Sequence, residues 1–181
     1  VDLFYDTLYP RFVNLSKTLN LENGSWGVEA VVKDRTFFIF EMQFRLGGMR
    51  HHQFVLQETG IDIMKMHIRY ALTGKFSGWN LRKLDNPRFK KTHCLLNLLL
   101  KPGTITSIHG VEKISSMPGV ISFLPMRSAG ECIELTGTVF QIFGKVSLVA
   151  NGKEELIESI EQIHRELQVL DENGNQMLLG S

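Results

Sequence analysis

Hydrophobic residues follow two rhythms along this chain, and the switch between them marks its elements. Over 3–21, Phe4, Leu8, Phe12, Leu15 and Leu19 recur every three or four residues, the period of an amphipathic helix. Pro10 has no amide hydrogen and crowds the preceding turn, so the stripe is expected to kink or break near Tyr9; Asn23-Gly24 ends it. The rhythm then becomes twofold. Segments 28–33 and 36–44 are rich in β-branched and aromatic residues, and Phe40, Met42 and Phe44 alternate with Glu41, Gln43 and Arg45. These segments read as a hairpin whose register decides its chemistry. With a loop at 34–36, Lys33 meets Phe37 and Glu29 lies directly opposite Glu41. Trp26/Phe44, Val28/Met42, Ala30/Phe40 and Val32/Phe38 then pair on the other face. A slip of one residue would set Glu29 against Phe40 and exchange the faces, which burial resists.

Further on, 50–58 reads as a short helix or irregular turn, and Asp62 as the cap of a helix running to Leu72 and stopped by Gly74. The polar stretch 75–91 is a connecting loop with Trp79 and Leu81 pinned against the core. Residues 93–100 form a buried strand ended by Lys101-Pro102-Gly103, and 104–108 a second strand. A short helix or turn at 110–116, a strand at 120–124 and a loop at 126–131 follow. Two apolar patches lie within 133–143, Gly144 turns into a strand at 145–150, and Asn151-Gly152 leads to an amphipathic helix at 153–167. Asp171-Glu172-Asn173-Gly174-Asn175 marks a terminal hairpin.

Composition narrows the class. At 43% hydrophobic and 22% charged, the 181 residues suit a globular protein with its own core. A net charge of +1 without a polybasic block gives no case for nucleic acid or a membrane surface. The longest apolar run, 94–100, is too short to span a bilayer. Cys94 and Cys132 are far apart among apolar neighbours, and read as buried thiols of a reducing, cytoplasmic compartment rather than as a disulfide.

The candidate chemistry sits on the first hairpin. Carboxylates directly opposite on a ladder have β-carbons roughly 5 Å apart and repel unless a cation lies between them. Mg²⁺ or Mn²⁺ would suit Glu29 and Glu41, with Gln43 offering a neutral carbonyl and Arg45 a planar cation for phosphate or carboxylate. The same spacing also suits an ordinary hairpin with a solvated charged face. His51 and His52 are neighbours whose side chains diverge on a helix, so they read as solvated or packed histidines more readily than as joint ligands. Arg50, near the glycines, is placed to meet a bound anion.

The run Glu41-Met42-Gln43-Phe44-Arg45-Leu46-Gly47-Gly48, with Glu29 on the preceding strand, resembles the metal-binding signature of the ATP-grasp superfamily. The later segments, from Gly60-Ile61-Asp62 to the strand, turn and helix of 146–167, are similar to the order of elements in its carboxylate–amine ligases. The resemblance implies an α+β fold: the C-terminal half of an ATP-grasp fold, an antiparallel sheet with packed helices, plus a small α/β C-terminal domain. It implies a C-terminal part of the ATP-grasp domain over 1–100 and a C-terminal α+β subdomain over 101–181. It further implies ATP and Mg²⁺ (or Mn²⁺) as cofactors, with Glu29, Glu41 and Gln43 as metal ligands. Gln43 stands where the family has asparagine, one methylene longer. Arg45 takes the role of the arginine that contacts phosphate or acyl phosphate, with Glu41 also at the nucleotide and Arg50 and Arg127 facing substrate. The implied function is ATP-dependent ligation of a carboxylate to an amine through an acyl phosphate. Partners are then small carboxylate and amine substrates, a missing N-terminal half of the grasp domain and, as an option, a second copy of the chain. The family's adenine, lysine and lid elements lie upstream of this hairpin, and the chain starts in mid-helix, so it reads as a fragment that is inactive alone. Two other classes stay open: a metal-dependent hydrolase and a non-enzymatic interaction module.

Overall fold

The computed structural model describes residues 1–76, 81 and 87–180. The chain forms two compact units, Val1–Phe89 and Lys90–Ser181. The strand Thr92–Leu99 belongs to the second unit and pairs along its length with Ile142–Ala150.

In the first unit, helices α1 (Asp2–Thr7) and α2 (Tyr9–Thr18) are separated at Leu8, with Pro10 in the opening turn of α2. Proline is tolerated there, where its missing N–H has no intrahelical partner to lose. The interruption expected near Tyr9 is therefore present, and buried Leu8 anchors it. Strands β1 (Gly27–Lys33) and β2 (Thr36–Gln43) form an antiparallel pair, followed by α3 (His52–Thr59) and α4 (Ile63–Thr73). The Asp62 side chain accepts from the Lys65 amide at 2.9 Å, capping α4, and Gly74 closes it with a left-handed φ of 68°. Ile61, Met66 and Phe76 form a small core joined by Val55, Ile63 and Leu81. The expected anchoring of Trp79 lies outside the described residues.

In the second unit, β3 (Thr92–Leu99), β8 (Ile142–Ala150) and β6 (Val120–Pro125) make a three-stranded antiparallel sheet in the order β3-β8-β6. Two further antiparallel pairs join β4 (Gly103–Thr104) to β7 (Cys132–Ile133) and β5 (Ser107–His109) to β9 (Gln168–Leu170). Helix α5 (Val111–Ser115) and the longer α6 (Lys153–Glu166) complete the unit. Its core is built on Leu98, Leu100, Ile105, Phe143 and Val146, against which α6 lays Leu156, Ile160 and Ile163. Helices packed on antiparallel ladders make this an α+β protein, as expected.

Three expectations change here. The single strand at 104–108 is two short ones, because Ile105 leaves the ladder to fill the core while its amide donates to the Glu131 carbonyl at 2.9 Å. Within 133–143 only the first residue is strand before β8. The rest is a loop held by buried Gln141, whose Oε1 accepts from the Thr136 and Gly137 amides and whose Nε2 donates to the Leu100 carbonyl. Gly144 does not turn the chain but lies inside β8, where a Cβ would meet the Leu124 carbonyl oxygen at 2.8 Å. The cysteines are free as expected, but Cys94 is half-buried and Cys132 exposed; burial pushes the Cys94 thiol pKa up. No helix among the described residues is long and apolar enough to cross a membrane.

Candidate functional site

The tip of the first hairpin is a two-residue turn, Asp34-Arg35, with left-handed φ of 50° and 58°. Lys33 therefore pairs with Thr36, Val32 with Phe37, Val31 with Phe38 and Ala30 with Ile39. The Ala30/Phe40 and Val32/Phe38 pairs that a 34–36 loop would give do not form. A β-bulge then intervenes: Phe40 is left over, and the ladder resumes as Glu29–Glu41, Val28–Met42 and Gly27–Gln43. The bulge adds back the residue that the shorter turn removes. The expected acid pair thus stands, in the register expected for it, at the base of the hairpin.

Alternation puts Glu29, Glu41, Gly27 and Gln43 on one face, since the ladder is regular across those pairs. The opposite face turns toward α2. Trp26 meets Phe44 with ring centroids 4.9 Å apart and Phe12 of α2 at 5.8 Å, and its indole N–H donates to Ser16 Oγ. Both carboxylates are exposed, whereas Gln43 is half-buried and folded over Gly27. A Cβ at Gly27 would lie 2.8 Å from Gln43 Cγ and Nε2, so the absence of a side chain there makes room for the amide. Its Oε1 is buried without a hydrogen-bond partner. A buried carbonyl oxygen left unpaired costs about 1–3 kcal/mol, and a cation recovers that cost. Two carboxylates and an orphaned amide oxygen make an all-oxygen donor set suited to Mg²⁺ or Mn²⁺. Among the described residues no group of three or more His, Cys, Asp or Glu could hold a metal.

Arg45 lies just past β2, exposed, with Nη1 donating to the Leu46 carbonyl at 3.1 Å. That leaves most of the five guanidinium N–H donors for an anion. Arg50 adopts a left-handed φ of 58° ahead of α3, and its carbonyl accepts from the Gln53 amide. His51 packs its ring toward Phe54, and half-buried His52 has a pKa lowered by burial, then by the Arg50 charge, with Asp62 opposing. Arg127 belongs to the second unit, where Nη1 pairs with Glu131 at 3.2 Å and Nη2 donates to the Phe140 carbonyl. The hairpin thus brings Glu29, Glu41 and Gln43 together, with Arg45 at the strand end. Arg127 is engaged in a loop lock of its own. Sequence reasoning passed over Gly27, although the pairing that opposes the two acids also sets Gly27 across from Gln43.

No protein-family model matches the chain, and no curated protein matches its sequence. Solved structures do. Phosphoribosylglycinamide synthetase from Anaerococcus prevotii superposes with a TM-score of 0.77 at 14% identity, over 95% of this chain and 43% of that one. L-amino acid ligase from Bacillus licheniformis gives 0.70 at 20% identity, over 91% and 40%. N5-carboxyaminoimidazole ribonucleotide synthetase from Thermotoga maritima gives 0.54 at 16%, over 90% and 42%. This chain carries part of the ATP-grasp ligase fold. It spans about two fifths of the length of the ATP-grasp structures it matches. At these identities the likeness is one of fold, and the hairpin's chemistry rests on its own geometry.

Proposed function

We propose that this chain supplies the metal and phosphate side of an ATP-dependent ligase that joins a carboxylate to an amine through an acyl phosphate. The observation that carries this reading is the Glu29–Glu41 pair with the unpaired Gln43 oxygen on the same face. Those three residues would hold Mg²⁺ or Mn²⁺. The bound metal supplies charge neutralisation of the ATP phosphates, the principal demand of phosphoryl transfer. Arg45, with guanidinium donors to spare, acts as the catalytic cation, taking an oxygen of the transferred phosphoryl group and holding it in line. Arg50 lies in the loop following Arg45 and the glycines, where it would orient a substrate carboxylate; Arg127, in the second unit, is a separate candidate contact for a substrate carboxylate. Glu131 already shares the Arg127 guanidinium, so substrate there would compete with a resident carboxylate.

In this reading the partner that completes the site is the remaining part of an ATP-grasp fold, either earlier in the same polypeptide or in a second one. Residues 1–100 then contribute the C-terminal part of the grasp domain and 101–181 a C-terminal α+β subdomain, acting in the cytoplasm. Alone, the 181 residues do not turn over. Magnesium-dependent release of ADP by the full-length enzyme, supplied with pooled amino acids, tests the assignment. ADP release that requires an amine acceptor supports the ligase; phosphate release without one points to a hydrolase, and no nucleotide effect to an interaction module.

A further inference from the structure

A cavity of about 420 Å³ opens behind the hairpin, lined by Asn20, Glu22, Asn23, Phe44, His67 and Tyr70, with Leu21 and Gly24. Its size falls within the range of small-molecule pockets, about 300–1,000 Å³. Phe44 places it on the reverse of the metal face: that ring packs on Trp26, which packs on α2, whereas Glu29, Glu41 and Gln43 point the other way.

The lining has a definite chemical character. Among the described residues, Glu22 is its one carboxylate and neither lysine nor arginine lines it. The Phe44 and Tyr70 rings offer aromatic faces, and Asn20 a neutral amide. Two of the polar groups are already placed. His67 Nε2 is hydrogen-bonded to Ser25 Oγ at 2.9 Å with its ring edge-on to Phe76, and Asn23 Oδ1 accepts from the Phe76 amide. The walls are therefore fixed by α4 and the segment after it. The tip of the Phe44 ring meets Gly24, where a Cβ would come within 2.4 Å of Cζ, so that wall is seated by the missing side chain. A lining that holds a carboxylate and two aromatic rings, with no lysine or arginine among the described residues, suits an organic ammonium: charge pairs with Glu22 while the alkyl groups lie on the rings.

We propose that this cavity is a second ligand site, specific for a small alkylammonium ion and distinct from the metal face. Phe44 lies between Gln43 and Arg45 in the chain, so a ligand against its ring sits one residue from each.

The test is a titration of the 181-residue chain with tetramethylammonium and n-butylammonium chlorides, against sodium chloride at matched ionic strength, followed by ¹H–¹⁵N resonances. Saturable shifts are expected at Gly24, Phe44 and the Trp26 indole, extending to Gln43 and Arg45. Glu22 is exposed, so Glu22→Gln keeps the fold and should weaken binding about tenfold. Tyr70→Leu, which removes one aromatic wall, should weaken it as well. Shifts no different from those in sodium chloride overturn the proposal, as does an affinity that Glu22→Gln leaves unchanged. Neither result bears on metal binding at Glu29 and Glu41, so the two readings fail separately.

Discussion

Glu29 faces Glu41 across the ladder, while Ala30, the very next residue, faces Ile39. The ladder moves by one residue at the point where the two acids meet. Two like charges held opposite each other destabilise an antiparallel pair unless a cation joins them. Replacing either acid by a neutral residue should therefore leave the fold intact and remove function. In the full-length enzyme, Glu41→Ala should lower kcat/KM at least about a hundredfold, the scale seen when a group that stabilises transition-state charge is removed. Circular dichroism should be unchanged, since Glu41 is exposed, and the metal-free thermal midpoint should hold or rise slightly as the like-charge repulsion is removed. Wild-type turnover in that variant would remove the metal role.

Gly27 provides a sharper probe, because it touches the metal set without belonging to it. Adding a methyl group there drives it against Gln43 Cγ and Nε2 at 2.8 Å and displaces the amide that caps the site. Alanine in place of glycine within a strand by itself gains roughly 0.5–1 kcal/mol of stability. Gly27→Ala should thus hold or raise the thermal midpoint while weakening Mn²⁺ binding, read from paramagnetic broadening of resonances in 27–29 and 41–43. Unchanged Mn²⁺ affinity would show that Gln43 is no ligand.

Phe40 is the residue the bulge sets aside. Deleting it joins Ile39 directly to Glu41, so the register set by the Asp34-Arg35 turn runs straight through and Glu29 still faces Glu41. Mn²⁺ affinity in the deletion variant should stay within about threefold of the parent, the scatter of small packing changes at about 0.6 kcal/mol. A loss of Mn²⁺ binding would mean that the bulge itself aims the carboxylate of Glu41.

Much of this site was legible from residue order, for reasons that can be located. Pro10, Asp62 and Gly74 act through local chemistry, a missing donor, a side-chain acceptor and a left-handed φ, and each marks its boundary where expected. The opposition of Glu29 and Glu41 was also legible, because burial penalises exchanging the faces of a strand. What could not be read was the path to it. A two-residue turn with a bulge and a three-residue loop without one give the same acid pair, and the choice rests on the backbone at Asp34 and Arg35. Likewise Ile105 and Gly144 depart from expectation through tertiary contacts, the first with the core and the second with the Leu124 carbonyl. The cysteines show the limit of local reading: Cys132 is flanked by Glu131 and Ile133, which point opposite ways on burial, and the fold leaves it exposed.

The terminal turn gives a prediction in pH. Asp171 Oδ1 accepts from the Asn175 and Asn173 amides, both at 2.8 Å, and Oδ2 from Asn175 Nδ2 at 3.2 Å. The Asn175 amide is the main cause of a pKa held below the ordinary carboxylate range; desolvation opposes it, and the Asn175 side chain and then the Asn173 amide add to it. Unfolded, the carboxyl titrates near its usual value of about 3.9, so on acidification the unfolded chain takes up its proton first. The stabilisation from this charge is therefore fully present above about pH 4 and is lost as pH falls through the lower folded value. Asp171→Asn keeps an acceptor but not the charge. In urea unfolding of the second unit, followed at β9 resonances, the gap between parent and variant should be widest at pH 5–6, roughly one to two units above that carboxyl value. It should close as pH falls below that carboxyl value and on through the lower folded one. A gap that stays constant across that range would show that the turn is held by hydrogen-bond geometry alone, with no contribution from the ionised carboxylate.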